Sequence, residues 1–151
     1  MLKSGNAGRL EVLVVDDDKV VTLLHKNSLK SSRIEHLPVL CYNGKEALDY
    51  LQKNDRPDKH FLILLDLNMP VLDGWKFLNK LKKNPPQAQV YVIVVTSSIN
   101  QQDYLKAQTY DQVIHFCRKP LSPECILKIK KLEPVRQFFL RGVEETKETE
   151  K

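Results

Sequence analysis

Four groups of residues carry the chemistry available to this chain. Asp16, Asp17 and Asp18 stand in a row after one apolar run, and Asp66 follows a second. Thr96 closes a third run, and Lys119 comes just after a fourth. A carboxylate can serve as a nucleophile, and several together attract a hard divalent cation. An ammonium and a hydroxyl suit the oxygens of a phosphoryl group. Two like charges about 4 Å apart repel by roughly 4 kcal/mol at an effective dielectric of 20, so converging carboxylates call for a cation. Mg²⁺ fits, because it accepts a few carboxylates and carbonyls while keeping positions open to phosphate. No comparable set exists for zinc or haem. His25, His36, His60 and His115 are scattered, and Cys41, Cys117 and Cys125 are odd in number without a C-x-x-C spacing, so they read as buried free thiols.

These residues can meet only if the elements between them bring them together. Leu10 to Val15 is a continuous β-rich run, Phe61 to Leu65 is uniformly apolar and Val90 to Val95 is the clearest buried strand, while Val113 to Cys117 reads as a fifth strand and Leu37 to Tyr42 as a weaker one. Helical patterns alternate with them. Lys19 to Ser31 puts Val20, Val21 and Leu24 on one face, with Asp18 as its cap. Asn43 and Glu46 have capping-box spacing ahead of Ala47, Leu48 and Leu51. Asp73-Gly74 is turn and cap chemistry before Trp75, Phe77, Leu78 and Leu81, and Pro85-Pro86 ends that helix. Asn100 to Thr109 is a polar helix. Ser122 and Pro123 open a last one through Ile126 and Ile129, which Pro134 breaks or kinks before a docked segment with Val135, Phe138 and Phe139.

Strands covered on both faces by intervening helices imply a parallel sheet with right-handed crossovers. Five repeats predict a flavodoxin-like, doubly wound α/β sheet in the order 2-1-3-4-5, with its site at the carboxyl ends of the strands. Every candidate residue then falls on that edge. The separations Asp66 to Thr96 (96 − 66 = 30) and Thr96 to Lys119 (119 − 96 = 23) each fit one β-α-β unit. Neighbouring strands lie about 4.8 Å apart, which forces Asp16, Asp17 and Asp66 into one pocket.

The stretches Val14-Val15-Asp16-Asp17, Leu65-Asp66-Leu67-Asn68-Met69-Pro70-Val71-Leu72-Asp73-Gly74, Val94-Val95-Thr96-Ser97 and Arg118-Lys119-Pro120-Leu121 together resemble the response-regulator receiver family of two-component signalling. The resemblance spans Leu10 to Leu132. It implies that Asp66 is the phosphoacceptor and that Mg²⁺ is bound by Asp17 directly, by Asp16 through water, by Asp66, and by the backbone carbonyl of Asn68. It implies that Thr96 and Lys119 hold phosphoryl oxygens, that Pro120 sets the geometry beside Lys119 through a cis peptide, and that an aromatic at Phe116 rotates inward when Thr96 turns. It links phosphoryl lifetime to Asn68 and Ser98. By the same resemblance the donor is a histidine kinase or a histidine phosphotransfer protein. Output passes through a face made by helix 4, strand 5 and helix 5, with homodimerisation as a possible consequence.

The chain has 151 residues and a formal charge of +5, with the excess lysines placed on helix surfaces at positions 80, 82, 83, 128, 130 and 131. A solvated face accounts for them, so direct DNA binding is not expected. No apolar run reaches the roughly 18 residues of a membrane span, and Met1 to Gly8 lacks a signal-peptide core, so a cytoplasmic protein is expected. The predicted organisation is one receiver domain over residues 10–140, with flexible termini at 1–9 and 141–151. Only 32 residues (151 − 119) follow Lys119, too few for an output domain, so a stand-alone regulatory phosphoacceptor rather than an enzyme is expected. A phosphorelay intermediate shares every site residue. A phosphatase of the haloacid-dehalogenase type would want an acid where Asn68 stands, and a pseudo-receiver would not retain the full set.

Overall fold

The structure, a computed structural model, describes residues 9–97 and 100–139. The five apolar runs form β1 (Arg9–Val15), β2 (Val39–Cys41), β3 (Lys59–Leu65), β4 (Gln89–Thr96) and β5 (Val113–Arg118). All neighbouring pairs are parallel and the order is β2-β1-β3-β4-β5, as predicted. Between and after them lie α1 (Lys19–Ser31), α2 (Gly44–Asn54), α3 (Gly74–Lys83), α4 (Gln101–Ala107), α5 (Pro123–Lys131) and α6 (Glu133–Arg136).

Strand residues alternate between two cores. Leu13, Val15, Phe61, Ile63, Leu65, Val92 and Val94 meet Ala47 and Leu51 of α2, Phe77, Leu78 and Leu81 of α3, and Ala107 of α4. Their neighbours Val12, Val14, Leu62, Leu64, Ile93 and Val95 face Leu29 of α1, Ile126 and Ile129 of α5, and Val135 of α6. Each fully buried side chain of this kind contributes about 1.5–3 kcal/mol. That burial holds the sheet against both helical layers and its carboxyl edge in place.

The predicted caps form. Asp18 accepts from the N–H groups of Val20 and Val21, Asn43 from Glu46, Asp73 from Lys76 and Ser122 from Cys125. Glu46 reaches back to the N–H of Tyr42, one residue before the cap. Leu132 leaves α5 with extended backbone, Pro134 sits in the first turn of α6, and Val135 and Phe139 are buried.

Several expectations are corrected. Val20 and Leu24 of α1 are exposed, and the helix instead buries Thr22, His25 and Leu29. The apolar pattern passed over Thr22 and His25 because they are polar, yet each is satisfied: Thr22 Oγ1 donates to the Lys19 carbonyl at 2.9 Å, and His25 Nε2 accepts the Leu121 N–H at 3.3 Å. Cys117 and Cys125 are not free thiols but a disulfide with Cα atoms 6.6 Å apart, because α5 starts over the end of β5; Cys41 alone stays free and buried. His115 is not isolated, since it lies beside that pair. Leu37 falls outside β2 and is exposed, while β3 begins two residues early, at Lys59, which is buried through an ion pair with Glu11. Ser98, Leu140 and the two predicted flexible termini, apart from Arg9 in β1, lie outside the described residues.

Candidate functional site

Strand register brings the site together. β1 and β3 end their pairing at Val15 and Leu65, so Asp16 and Asp66 leave the sheet side by side. The ladder runs one step further: the Asp66 N–H donates to the Val15 carbonyl at 2.9 Å, and the Asp16 N–H to the Cys41 carbonyl at 3.0 Å. On the other flank Thr96 pairs with Arg118, and the Lys119 N–H donates to the Thr96 carbonyl at 2.7 Å. The peptide bond from Lys119 to Pro120 is cis.

Lys119 closes the pocket over the acids. Its Nζ lies 2.6 Å from Asp16 Oδ2 and 3.3 Å from Asp66 Oδ2. Asp16, Asp17 and Asp66 each offer a carboxylate oxygen within 4.8 Å of the others. Asp16, Asp66 and Thr96 are buried, whereas Asp17 and the Asn68 side chain are exposed. The Asp18 N–H donates to Asp16 Oδ1 at 2.9 Å and the Asn68 N–H to Asp66 Oδ1 at 3.4 Å. Asp18 therefore caps α1 and also orients Asp16 through its backbone.

Burial, and then the charge of Asp16, push the Asp66 carboxyl above its usual range, against the opposing pull of Lys119 and the Asn68 N–H. Burial works to lower the Lys119 ammonium, but the Asp16 hydrogen bond and the charge of Asp66 outweigh it and hold Lys119 protonated above its usual range. The pocket is thus a set of mutually repelling acids held by the Lys119 ammonium. All its donors are hard oxygens, two buried and one open to solvent, which is a set suited to Mg²⁺ rather than to a soft metal.

The loop after β3 is held close by glycine. A Cβ at Gly74 would stand 2.5 Å from the Asp66 carbonyl oxygen and 2.8 Å from Leu67 Cα. The Gly74 N–H also donates to the Leu67 carbonyl at 3.0 Å. Val71 adopts φ 68°, unfavourable for a β-branched residue, and the turn after it is tied down where the Leu72 carbonyl accepts the Gly44 N–H at 2.9 Å.

Phe116 lies on the opposite side of β5 from Cys117. It is half-buried, and its ring meets Tyr104 of α4 edge-on with centroids 5.6 Å apart. The sequence reading missed His25, whose burial beside the pocket leaves no signal in a motif. It also read Gly74 as turn chemistry without its contact with the Asp66 backbone. A glycine directly after a capping acid was the only available hint.

The family profile for the response regulator receiver domain matches residues 12–131. The chain belongs to that family. Among relatives of this receiver, the response regulator Rcp1 of Synechocystis sp. is 35% identical over 97 residues, covering 62% of this chain and 66% of that protein. The chain thus spans just under two thirds of that relative. A chemotaxis protein CheY homolog of Campylobacter jejuni is 31% identical over 127 residues, covering 83% of this chain and 92% of its own. A two-component response regulator from Legionella pneumophila superposes with a TM-score of 0.67 at 26% identity, covering 79% of this chain and 93% of that one. The receiver therefore has a regulatory place in two-component signalling. No helix among its described residues is long and apolar enough to cross a membrane.

Proposed function

We propose that Asp66 accepts a phosphoryl group and that the resulting charge switches a protein-interaction surface. The observation that carries this reading is the grip of Lys119 on both Asp16 and Asp66, at 2.6 and 3.3 Å, where three acids meet at the carboxyl edge of the sheet.

In the proposed step an Asp66 carboxylate oxygen attacks phosphorus, the P–N bond of a phosphohistidine breaks, and the imidazole leaves with the bonding pair. The donor is a histidine kinase or a histidine phosphotransfer protein. Asp16, Asp17, Asp66 and the backbone carbonyl of Asn68 would hold Mg²⁺, which when bound neutralises charge on the phosphoryl oxygens. Lys119 keeps its proton and meets one of those oxygens; the Thr96 hydroxyl meets another. Positioning and electrostatics supply the acceleration, since the reacting carboxylate needs no general base.

The product adds about −1.5 to −2 charges at Asp66. Thr96 turning toward them opens space beside β5, and Phe116 moves off Tyr104 to fill it. Phenylalanine has no hydroxyl, so burial alone drives that step. Moving such an equilibrium from 1:99 to 99:1 takes about 5.5 kcal/mol of differential stabilisation. Output follows through protein contact with the α4–β5–α5 face, in the cytoplasm, without direct DNA binding. The receiver unit in this reading spans residues 10–140.

Intact-protein mass after incubation with a small phosphodonor tests the reading, with and without Mg²⁺, on wild type and Asp66→Asn. One Mg²⁺-dependent adduct in wild type and none in Asp66→Asn is expected. An adduct that survives the substitution would remove Asp66 from the role.

A further inference from the structure

The second side-chain cluster of this protein lies on the far face of β5, away from Phe116. His115 and Cys117 are two residues apart on the strand and so share a face, pairing with Ile93 and Val95 of β4. Cys125 stands in the first turn of α5 directly over them, its N–H capped by Ser122 Oγ at 3.0 Å. A ring nitrogen of His115 and the two sulfurs all lie within 4.8 Å of one another. Nothing in the phosphoacceptor reading uses this cluster.

We propose that His115, Cys117 and Cys125, once the disulfide is reduced, form a binding site for a thiophilic divalent cation of the Zn²⁺ class. Two thiolates and an imidazole are the donor set that such ions prefer, leaving a fourth, open position for water. His115 and Cys125 are half-buried, while buried Cys117 anchors the site. Two sulfurs bound to tetrahedral Zn²⁺ lie about 3.8 Å apart, and the Cα atoms of Cys117 and Cys125 are 6.6 Å apart. The start of α5 favours the Cys125 thiolate through the helix dipole. Lys128 lies near the His115 ring. Two thiolates neutralise the incoming cation, so Lys128 does not oppose the loaded site.

The chemistry balances in two steps. A dithiol gives two electrons and two protons to break the S–S bond and becomes a disulfide itself. Metal uptake then forms two metal–sulfur bonds and one metal–nitrogen bond and releases the two thiol protons to solvent. A reducing compartment would hold the pair as thiols and therefore competent to bind. The site ties β5 to α5 when oxidised by a covalent bond and when reduced by the metal.

Cobalt(II) is the probe, added to the full chain in excess Mg²⁺ to occupy the acidic pocket. The reduced protein is expected to take up one Co²⁺ with thiolate-to-metal charge-transfer absorption, which one equivalent of Zn²⁺ abolishes; the oxidised protein shows neither. Cys125→Ser is expected to weaken binding at least about 100-fold and His115→Asn at least about 10-fold, with wild-type circular dichroism. Cobalt uptake without charge-transfer absorption, equal uptake by oxidised protein, or no uptake by the reduced and folded wild type would each overturn the proposal. The reduced-against-oxidised comparison needs no variant, so it stands even if a substitution unfolds the chain.

Discussion

His25 Nε2 accepts the backbone N–H of Leu121 at 3.3 Å, joining the middle of α1 to the loop that carries Lys119 and the cis peptide to Pro120. The ring is buried, and burial followed by nearby Lys119 lowers its affinity for a proton against the pull of Asp16. A neutral ring is what an accepting nitrogen requires.

Replacing that ring tests its worth. His25→Ala leaves a buried N–H without its acceptor, which costs about 1–3 kcal/mol, while His25→Gln keeps an acceptor and loses less. Urea unfolding of the two variants measures the difference, and equal losses would show that the Leu121 N–H gains nothing from an acceptor at this position. The rate of adduct formation at Asp66 should fall in parallel, because Leu121 holds the loop of Lys119.

The histidines also set a pH dependence. Burial lowers the proton affinity of His25, His36, His60 and His115 in the fold below the ordinary value of 6.5. A group whose folded pKa is depressed contributes stability above its unfolded pKa and loses it as pH falls through the folded one. Unfolding midpoints should therefore fall from pH 7.5 to pH 5.5, above the carboxylate range. A midpoint that stays level or rises over this interval would contradict the assignment.

Asp66 has the opposite sign. Its folded pKa is raised above 3.8, so the charged form penalises the fold above that range and the penalty disappears as pH falls below the unfolded value. Asp66→Asn should thus melt at a higher temperature than wild type at pH 7 without Mg²⁺, and the gap should narrow toward pH 4. Added Mg²⁺ should narrow it too, by stabilising wild type preferentially. A less stable Asp66→Asn at pH 7 would show that the Lys119 ion pair outweighs burial.

Gly74→Ala probes the loop beneath Asp66. The new Cβ meets backbone at 2.5 and 2.8 Å, which no flexible side chain can yield, so a cost of about 1–3 kcal/mol is expected. For a domain of this size that is a drop of roughly 2–12 °C in Tm. The Asp66 carbonyl must shift with it, so Mg²⁺-dependent adduct formation should slow as well. Unchanged melting would mean that the loop moves aside at no cost.

Much of the architecture was legible in the chain because strand runs covered on both faces admit few topologies. Asp16, Asp66, Thr96 and Lys119 each end a strand run or follow one closely, so a parallel sheet necessarily lines them along one edge. The face of α1 was not legible. Hydrophobic periodicity counts side chains by type, and a histidine or threonine with its polar atom satisfied packs as well as a leucine. Val20 and Leu24 therefore look inward by composition while standing 67% and 49% exposed.

Local order along the chain determined the alternation of strands and helices, the caps at Asp18, Asn43, Asp73 and Ser122, and the edge on which the acids gather. Those depend on neighbours within one turn or one pleat. Only the tertiary structure decided that Lys119 reaches both Asp16 and Asp66, that His25 supports the loop beyond it, and that His115, Cys117 and Cys125 converge. Each of these depends on how a helix settles on the sheet, to within an ångström or two. That is a property of packing between distant segments, which spacing along the sequence does not encode.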